Sequence, residues 1–525
     1  MCTTADSSVA STPPLDRIAV GDRFLAIADR RADSTALLWD LDTDPAAMTF
    51  GELARRARIL AGRLLEDLAP GDRLVIWSAN SPEWVVAELA ATLAGVVLVP
   101  MNPALTDDEA RYIVASSGAR AVLAGPEWRG RDLIASAFAL DSDLIVHPLL
   151  EWATIPADAA ATATLPSVSP EDHLLIQYTS GTTGTPKGAV LTHLVGSNVG
   201  PLSHLALGLT EDDVVCSPLP FHHVGGSLCT LLATVLRGGA YVVLPGFDAE
   251  QTLRSLHRGG VTFFGGVPTM MLAMLEHSGG AKVDLPALRM TMVGGSTVSP
   301  TLITRIEDAF GIEVVNGYGQ SEAPSSLQTR VGDNEVVKAQ SIGRANPYRE
   351  VAILDASGAE RPRGSVGELC LRGELVMVGY WEQLQAGTSS SVFDHNGWLH
   401  TGDLAAMDDD GVVRLNGRLR DVIIRGGENI YPAEVESVLA THPDIADVAV
   451  VAAPDERWGE VPVAFVRMTT GDLDPAELEE FARARLASFK VPRTWHQVAD
   501  FPLTASGKIQ KFKLTELLAA ARDDG

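Results

Sequence analysis

Residues 178–188 read Tyr178-Thr179-Ser180-Gly181-Thr182-Thr183-Gly184-Thr185-Pro186-Lys187-Gly188, a run of hydroxyls and glycines ending in one lysine. The apolar run Leu174-Leu175-Ile176-Gln177-Tyr178 before it predicts a strand, and Ala189-Val190-Leu191 after it predicts another. A loop of this make-up between two strands suits an anion. Glycines let backbone N–H groups turn towards one oxygen without a Cβ clash, while the hydroxyls and the Lys187 ammonium add donors. The pattern is not a Walker A loop, in which Gly-Lys-Ser/Thr opens a helix; here Pro186 precedes the lysine and Gly188 follows it. An ordinary Ser/Thr/Gly cluster is a surface turn, but the length and order of this one favour the anion loop.

The stretch resembles the phosphate-binding signature of the adenylate-forming superfamily, which includes acyl-CoA synthetases, carrier-protein adenylation domains and firefly-type luciferases. Further segments match that superfamily in its own order and spacing from Tyr178 to Lys511, whereas residues 1–170 are read from pattern alone. The resemblance gives Thr179, Ser180, Gly181, Thr182, Thr183, Gly184 and Lys187 to the ATP phosphates. Asn316-Gly317-Tyr318-Gly319-Gln320-Ser321-Glu322 follows a predicted strand at 312–315, and strand ends of open α/β sheets are where ligands bind. There Tyr318 would offer a face to adenine and Glu322 would hold Mg²⁺, a hard ion that suits a carboxylate beside phosphates. Gln320 and Ser321 replace commoner choices. Gly294-Gly295-Ser296 is similar to the segment lying along the adenine and the acyl pocket.

Asp403, in Thr401-Gly402-Asp403, would accept from both ribose hydroxyls, although an Asp in such a turn is ordinarily a local cap. Arg418 would reach the ribose or a phosphate. Arg420 falls at the hinge, where the family usually has Lys or Asp. Gly427, in Arg425-Gly426-Gly427-Glu428, would border a narrow thiol channel for CoA, and Lys508, in Thr504-Ala505-Ser506-Gly507-Lys508, would be the catalytic lysine. Lys490 and Lys511 read as solvated surface charges. Pro220-Phe221-His222-His223-Val224-Gly225-Gly226 matches the acyl pocket and gate, with His223 at the gate and His222 either lining the pocket or simply satisfied polar structure. Gly265, Gly266, Val267 and Ser296 would complete a mainly apolar pocket.

The implied reaction joins an acid carboxylate to the α-phosphorus of ATP, releases pyrophosphate, and passes the acyl group to CoA. Such chemistry needs positive charge and in-line positioning more than a nucleophile. Catalysis would rest on Lys508, Glu322 and Lys187, with ATP, Mg²⁺ and CoA as cofactors and a medium-chain fatty or aryl acid as substrate. Other acceptors fit the same motifs: a carrier-protein phosphopantetheine, or an amine or nitrite in a diazotisation. A non-catalytic nucleotide or acid sensor has no need of Glu322, Asp403, Arg418 and Lys508 together.

The elements that must position these residues show an α/β rhythm. Predicted strands at 73–77, 96–99 and 121–123 alternate with helices at 50–68, 82–93 and from 106; strands at 241–244, 261–264 and 290–293 alternate with helices at 249–257, 268–277 and 300–310, the last capped by Ser299. Residues 152–169 read as an Ala/Thr/Pro-rich linker. From about 350, short strands with glycine turns predict a β-rich subdomain, and an α+β pattern runs to the end. The expected class is α/β: a large N-terminal domain (1–419) of parallel-sheet subdomains plus the β-rich one, and a small mobile C-terminal domain (420–525).

The 525 residues carry 41 Lys and Arg against 67 Asp and Glu, a net charge of −26, which argues against nucleic-acid or anionic-membrane surfaces. The four scattered cysteines show neither metal spacing nor a disulfide framework. No signal peptide or bilayer span is read, so a cytoplasmic enzyme is expected, with a small-molecule carboxylic acid and CoA as partners and a homodimer compatible with the sequence.

Overall fold

The computed structural model describes residues 13–156, 159–179, 186–295, 298, 300–388, 392–426, 428–455, 457–469, 471–503 and 509–523. Two large sheets form the bulk of the chain. In a seven-stranded sheet, Arg73–Trp77, Val97–Met101, Ala121–Ala124, Ile145–Pro148 and His173–Thr179 run parallel. Lys187–Thr192 and then Gly379–Tyr380 join its edge antiparallel. In a nine-stranded sheet, Thr35–Trp39, Ala240–Val242, Val214–Cys216, Phe263–Gly266, Met290–Gly294 and Glu313–Tyr318 are parallel. Its edges are antiparallel: Ala46–Thr49 at one end, Leu327–Gln328 and Arg344–Ala345 at the other. The expected parallel sheets are therefore parallel in their middles and mixed at their rims.

Local chemistry explains the boundaries. The middle strands are unbroken apolar runs such as Leu74-Val75-Ile76, fully buried because helices cover both faces. The Pro82–Ala94 helix starts where the Ser81 side chain accepts from Trp84 N and Pro82 takes the first helical position, and it stops at Gly95, whose φ of 66° is left-handed. Every residue from Trp84 to Ala94 is buried, so this helix lies inside the core rather than on it. Thr106 and Glu109 form a reciprocal capping box at the head of Asp107–Ser117.

From Glu350 on, four antiparallel strands make the β-rich layer: Glu350–Leu354, Gly367–Arg372, Leu399–Met407 and Val413–Arg418. After the short turn Leu419–Asp421, a five-stranded sheet with the helices Pro432–Leu439, Pro475–Arg483 and Lys511–Asp523 builds its own core around Ile423, Val435, Leu439 and Val450. Among the described residues no helix is long and apolar enough to cross a membrane.

Candidate active site

The loop 318–322 leaves the end of the Glu313–Tyr318 strand and carries two groups of side chains. In the first group, the Tyr318 hydroxyl donates to Asp403 Oδ2 at 2.6 Å. Gln320 Nε2 reaches Asp403 Oδ2 at 2.9 Å and Thr401 O at 3.0 Å. Arg418 Nε lies 3.3 Å from Asp403 Oδ1, because Asp403 and Arg418 face each other across paired strands. Asp403 is buried, so one carboxylate takes charge-assisted bonds from three directions. Burial, and then the Asp403 carboxylate, hold the Tyr318 phenol well above its ordinary pKa, so it stays a donor.

The second group surrounds Glu322. The Tyr380 hydroxyl donates to Glu322 Oε1 at 2.8 Å, and the Tyr380 ring lies 5.3 Å from Lys187 Nζ. Burial, and then Glu322, raise the Tyr380 phenol out of the range in which it ionises. Glu322 O also accepts from Met377 N at 2.8 Å, which ties the loop to the strand-edge segment carrying Tyr380. Lys187 and Glu322 thus meet on one tyrosine, the ammonium over its ring and the carboxylate at its hydroxyl.

The strands His173–Thr179 and Lys187–Thr192 pair antiparallel on either side of residues 180–185: Lys187 pairs with Thr179, and Thr179 Oγ1 reaches Lys187 O at 3.5 Å. Its base is braced from outside. Glu382 accepts from Gly188 N at 3.3 Å and from Ser116 Oγ at 3.0 Å, and Tyr178 donates to the same serine at 2.9 Å.

The glycines of the 316–322 segment are there for contact. A Cβ on Gly317 would come within 2.9 Å of Met292 Sδ, and one on Gly319 within 2.5 Å of Ser325 N. Asn316 is buried with Nδ2 committed to Lys338 O and Ser341 O, while its Oδ1 has no hydrogen-bond partner among the described residues. Ser321 is buried beside it on the loop. Gly295 is exposed, with φ 84°.

His222 and His223 are half-buried, and a Cβ on Gly265 would lie 3.1 Å from Thr230 Cγ2 and 3.5 Å from Ser217 Cβ. Burial and the neighbouring His223 push the His222 pKa down to about 3, so this ring is neutral. Its carbonyl accepts from Gln177 Nε2 at 3.0 Å, and His223 Nδ1 accepts from Gly225 N at 3.0 Å. Arg420 is exposed in the Leu419–Asp421 turn, 3.4 Å from Asp421. Ser180, Gly181, Thr182, Thr183, Gly184, Ser296, Ser299, Gly427 and Lys508 lie outside the described residues. Lys490 and Lys511 are not solvated charges as expected: Lys490 Nζ lies 2.6 Å from Glu434, and Lys511 Nζ 2.6 Å from Glu436. Helix Pro432–Leu439 presents both acids to them.

The family model described as AMP-binding enzyme matches residues 24–381, and that of the AMP-binding enzyme C-terminal domain matches 434–508. The chain belongs to the AMP-binding enzymes, the adenylate-forming superfamily of the acyl-CoA synthetases. It is 37% identical over 472 residues to a feruloyl-CoA synthase of an Amycolatopsis species, covering 89% of this chain and 93% of the relative. It is 33% identical over 539 residues to a mitochondrial medium-chain acyl-CoA ligase of Bos taurus, covering 95% and 87%. The fold matches ATP-bound MatB from Rhodopseudomonas palustris with a TM-score of 0.86 at 28% identity, covering 95% of this chain and 98% of that one.

Two features of this AMP-binding enzyme escaped the sequence reading. Tyr380 and Glu382 follow a short apolar run and carry no motif that points to residue 187; only the edge pairing of Ala189 with Tyr380 brings them there. Glu368 accepts from Gly402 N at 3.0 Å and pairs with His400 Nδ1 at 2.7 Å, so it holds the turn that aims Asp403. The available signal was Glu368 itself, an acid directly before the apolar run Leu369-Cys370-Leu371.

Proposed function

We propose that this acyl-CoA synthetase activates a medium-chain fatty or aryl carboxylic acid as its acyl-AMP and then transfers the acyl group to CoA. The observation that carries the site is the single loop 318–322, whose members bond to Asp403 on one side and join Glu322 to Lys187 through Tyr380 on the other. Asp403, held by Tyr318, Gln320 and Arg418, suits two vicinal ribose hydroxyls. Lys187 and the 179–184 hydroxyls suit the β- and γ-phosphates. Glu322, half-buried with one oxygen fixed by Tyr380, offers the hard oxygen that Mg²⁺ takes. When bound, the ion would offset the charge of the departing pyrophosphate.

In this reading the chain's own groups position and neutralise. Lys508 brings an ammonium to the carboxylate and α-phosphate oxygens. The small domain, joined near Arg420, then turns to withdraw Lys508 and offer the Gly427 side to the thiol. The exposed Leu419–Asp421 turn, in which Arg420 has an ion pair only with its neighbour Asp421 among the described residues, favours a joint at that point. We assign residues 1–419 and 420–525 to the two domains, and the scattered cysteines accord with a cytoplasmic enzyme. Medium-chain and feruloyl specificities among the relatives, and the absence of a Lys or Arg at 220–226 or 265–267, support an apolar acid.

The deciding experiment supplies ATP, Mg²⁺ and a panel of acids with and without CoA, scoring pyrophosphate and product mass. Acyl-CoA from medium-chain or aryl acids is expected; preference for acetate or amino acids, or an acyl-AMP that CoA leaves untouched, overturns the reading. Lys508→Ala is expected to abolish acyl-AMP formation and spare thioester formation from supplied acyl-AMP, whereas equal loss of both steps refutes the two-state division.

A further inference from the structure

The segment bearing His222 and His223 is held from behind by the buried Pro82–Ala94 helix and its approach. Asn80 Nδ2 donates to Leu219 O at 3.0 Å, and Asn80 Oδ1 accepts from Phe221 N at 2.7 Å. Farther along, Glu88 accepts a hydrogen bond from Ser227 Oγ. Ser227 opens the π-helix Ser227–Leu232, a geometry that is rare and recurs at functional sites. On that helix Thr230 donates to Gly226 O at 2.7 Å, and its Cγ2 lies 3.1 Å from the place of a Cβ on Gly265. The grip of Glu88 on Ser227 therefore bears on both the His223 segment and the Gly265 wall.

Glu88 is 2% exposed, and its Oε2 has no hydrogen-bond partner among the described residues. Burial pushes its pKa up to about 7 against favourable contributions from Ser227 and Trp84, and none of the groups acting on it is a cation. A buried carboxyl with an unsatisfied oxygen is a costly way to fill core space that an apolar side chain would fill better. A carboxyl among the buried residues 84–94 calls for a reason beyond packing.

We propose that Glu88 is a positioning residue for acid binding: through Ser227 it fixes the π-helix, and so sets the spacing between the His223 segment and Gly265 that receives the acid's tail. This rests on the acyl-pocket reading of that region. The test measures KM for acid, KM for ATP and kcat by pyrophosphate release in the wild type, Ser227→Ala, Glu88→Leu and Glu88→Gln, across acids of increasing length. Loss of one such bond is expected to raise the acid KM about tenfold in Ser227→Ala and Glu88→Leu and to flatten the length preference. KM for ATP should stay within about twofold, and Glu88→Gln, whose amide oxygen still accepts from Ser227, should restore the acid KM. Equal changes in both KM values, no change in either, or no rescue by glutamine overturns the proposal. If the wild type itself releases no pyrophosphate with any acid, the functional reading has failed instead. Ser227→Ala removes only one oxygen, so the comparison survives should Glu88→Leu not fold.

Discussion

Replacing Glu88 by glutamine should stabilise this protein, and by an amount that depends on pH. In the folded chain burial holds the Glu88 proton up to about pH 7, against an ordinary value of 4.5. Between those two pH values the unfolded chain has lost this proton and the folded chain has kept it. The folded state then binds more protons, so stability falls as pH rises through that window and levels off above it. A gap of roughly 2.5 pH units at about 1.36 kcal/mol each amounts to some 3 kcal/mol. Glutamine keeps an acceptor for Ser227 and has no proton to hold, so the difference between Glu88→Gln and wild type should be under about 1 kcal/mol at pH 5 and grow to about 3 kcal/mol by pH 7.5. With an unfolding entropy of about 2.1 cal/mol/K per residue over roughly 350 residues, this corresponds to about 4 °C in Tm. The assay is thermal unfolding of both proteins across pH 5 to 8.5, read as the difference between them so that every other titrating group cancels. A difference that stays flat, or a glutamine variant that loses stability as pH rises, would mean that water or a cation solvates the carboxylate, and the reasoning fails.

Three other substitutions probe the proposed nucleotide site. Tyr380→Phe removes the donor on Glu322 and leaves the ring beside Lys187, so kcat/KM for ATP should fall about tenfold, as for loss of one hydrogen bond to a charged group; an unchanged value refutes the link. Gly319→Ala drives a Cβ to 2.5 Å from Ser325 N, a backbone atom that cannot rotate aside, and should displace the 318–322 loop at a cost of about 1–3 kcal/mol. Calorimetry with AMP should show affinity reduced in step, and normal binding would mean that the loop adapts. Glu368→Ala leaves Gly402 N without its acceptor and His400 without its partner, so AMP affinity should fall about tenfold, with a smaller loss in Glu368→Gln, which can still accept from Gly402; equal losses would show that charge rather than turn geometry matters.

What could be read in the sequence was what local chemistry decides. The strand at 73–77 and the helices starting at Pro82 and at Asp107 follow from apolar runs, caps and glycine stops within a few residues, and they occur where those signals lie. Asp403 and Arg418 were each assigned through the family resemblance, whereas the strand pairing that sets them opposite each other was not. Tyr380 was not, because its position opposite Ala189 is a matter of which strand takes the open edge of a sheet, and edge order depends on backbone hydrogen bonds that every residue type offers alike. The antiparallel rims were hidden for the same reason.

Glu88 shows the opposite case. Its sequence context, Val85-Val86-Ala87-Glu88-Leu89-Ala90, is apolar all round apart from the acid itself, and an acid taken alone would be placed at the surface. The helix is in fact enclosed on all sides, so the acid has no wet face to occupy. A charge pattern reports exposure only when the element has an outside. Where it has none, the same residue becomes a buried carboxyl whose place is explained by what it touches, here the serine that begins the π-helix beside the proposed acyl pocket.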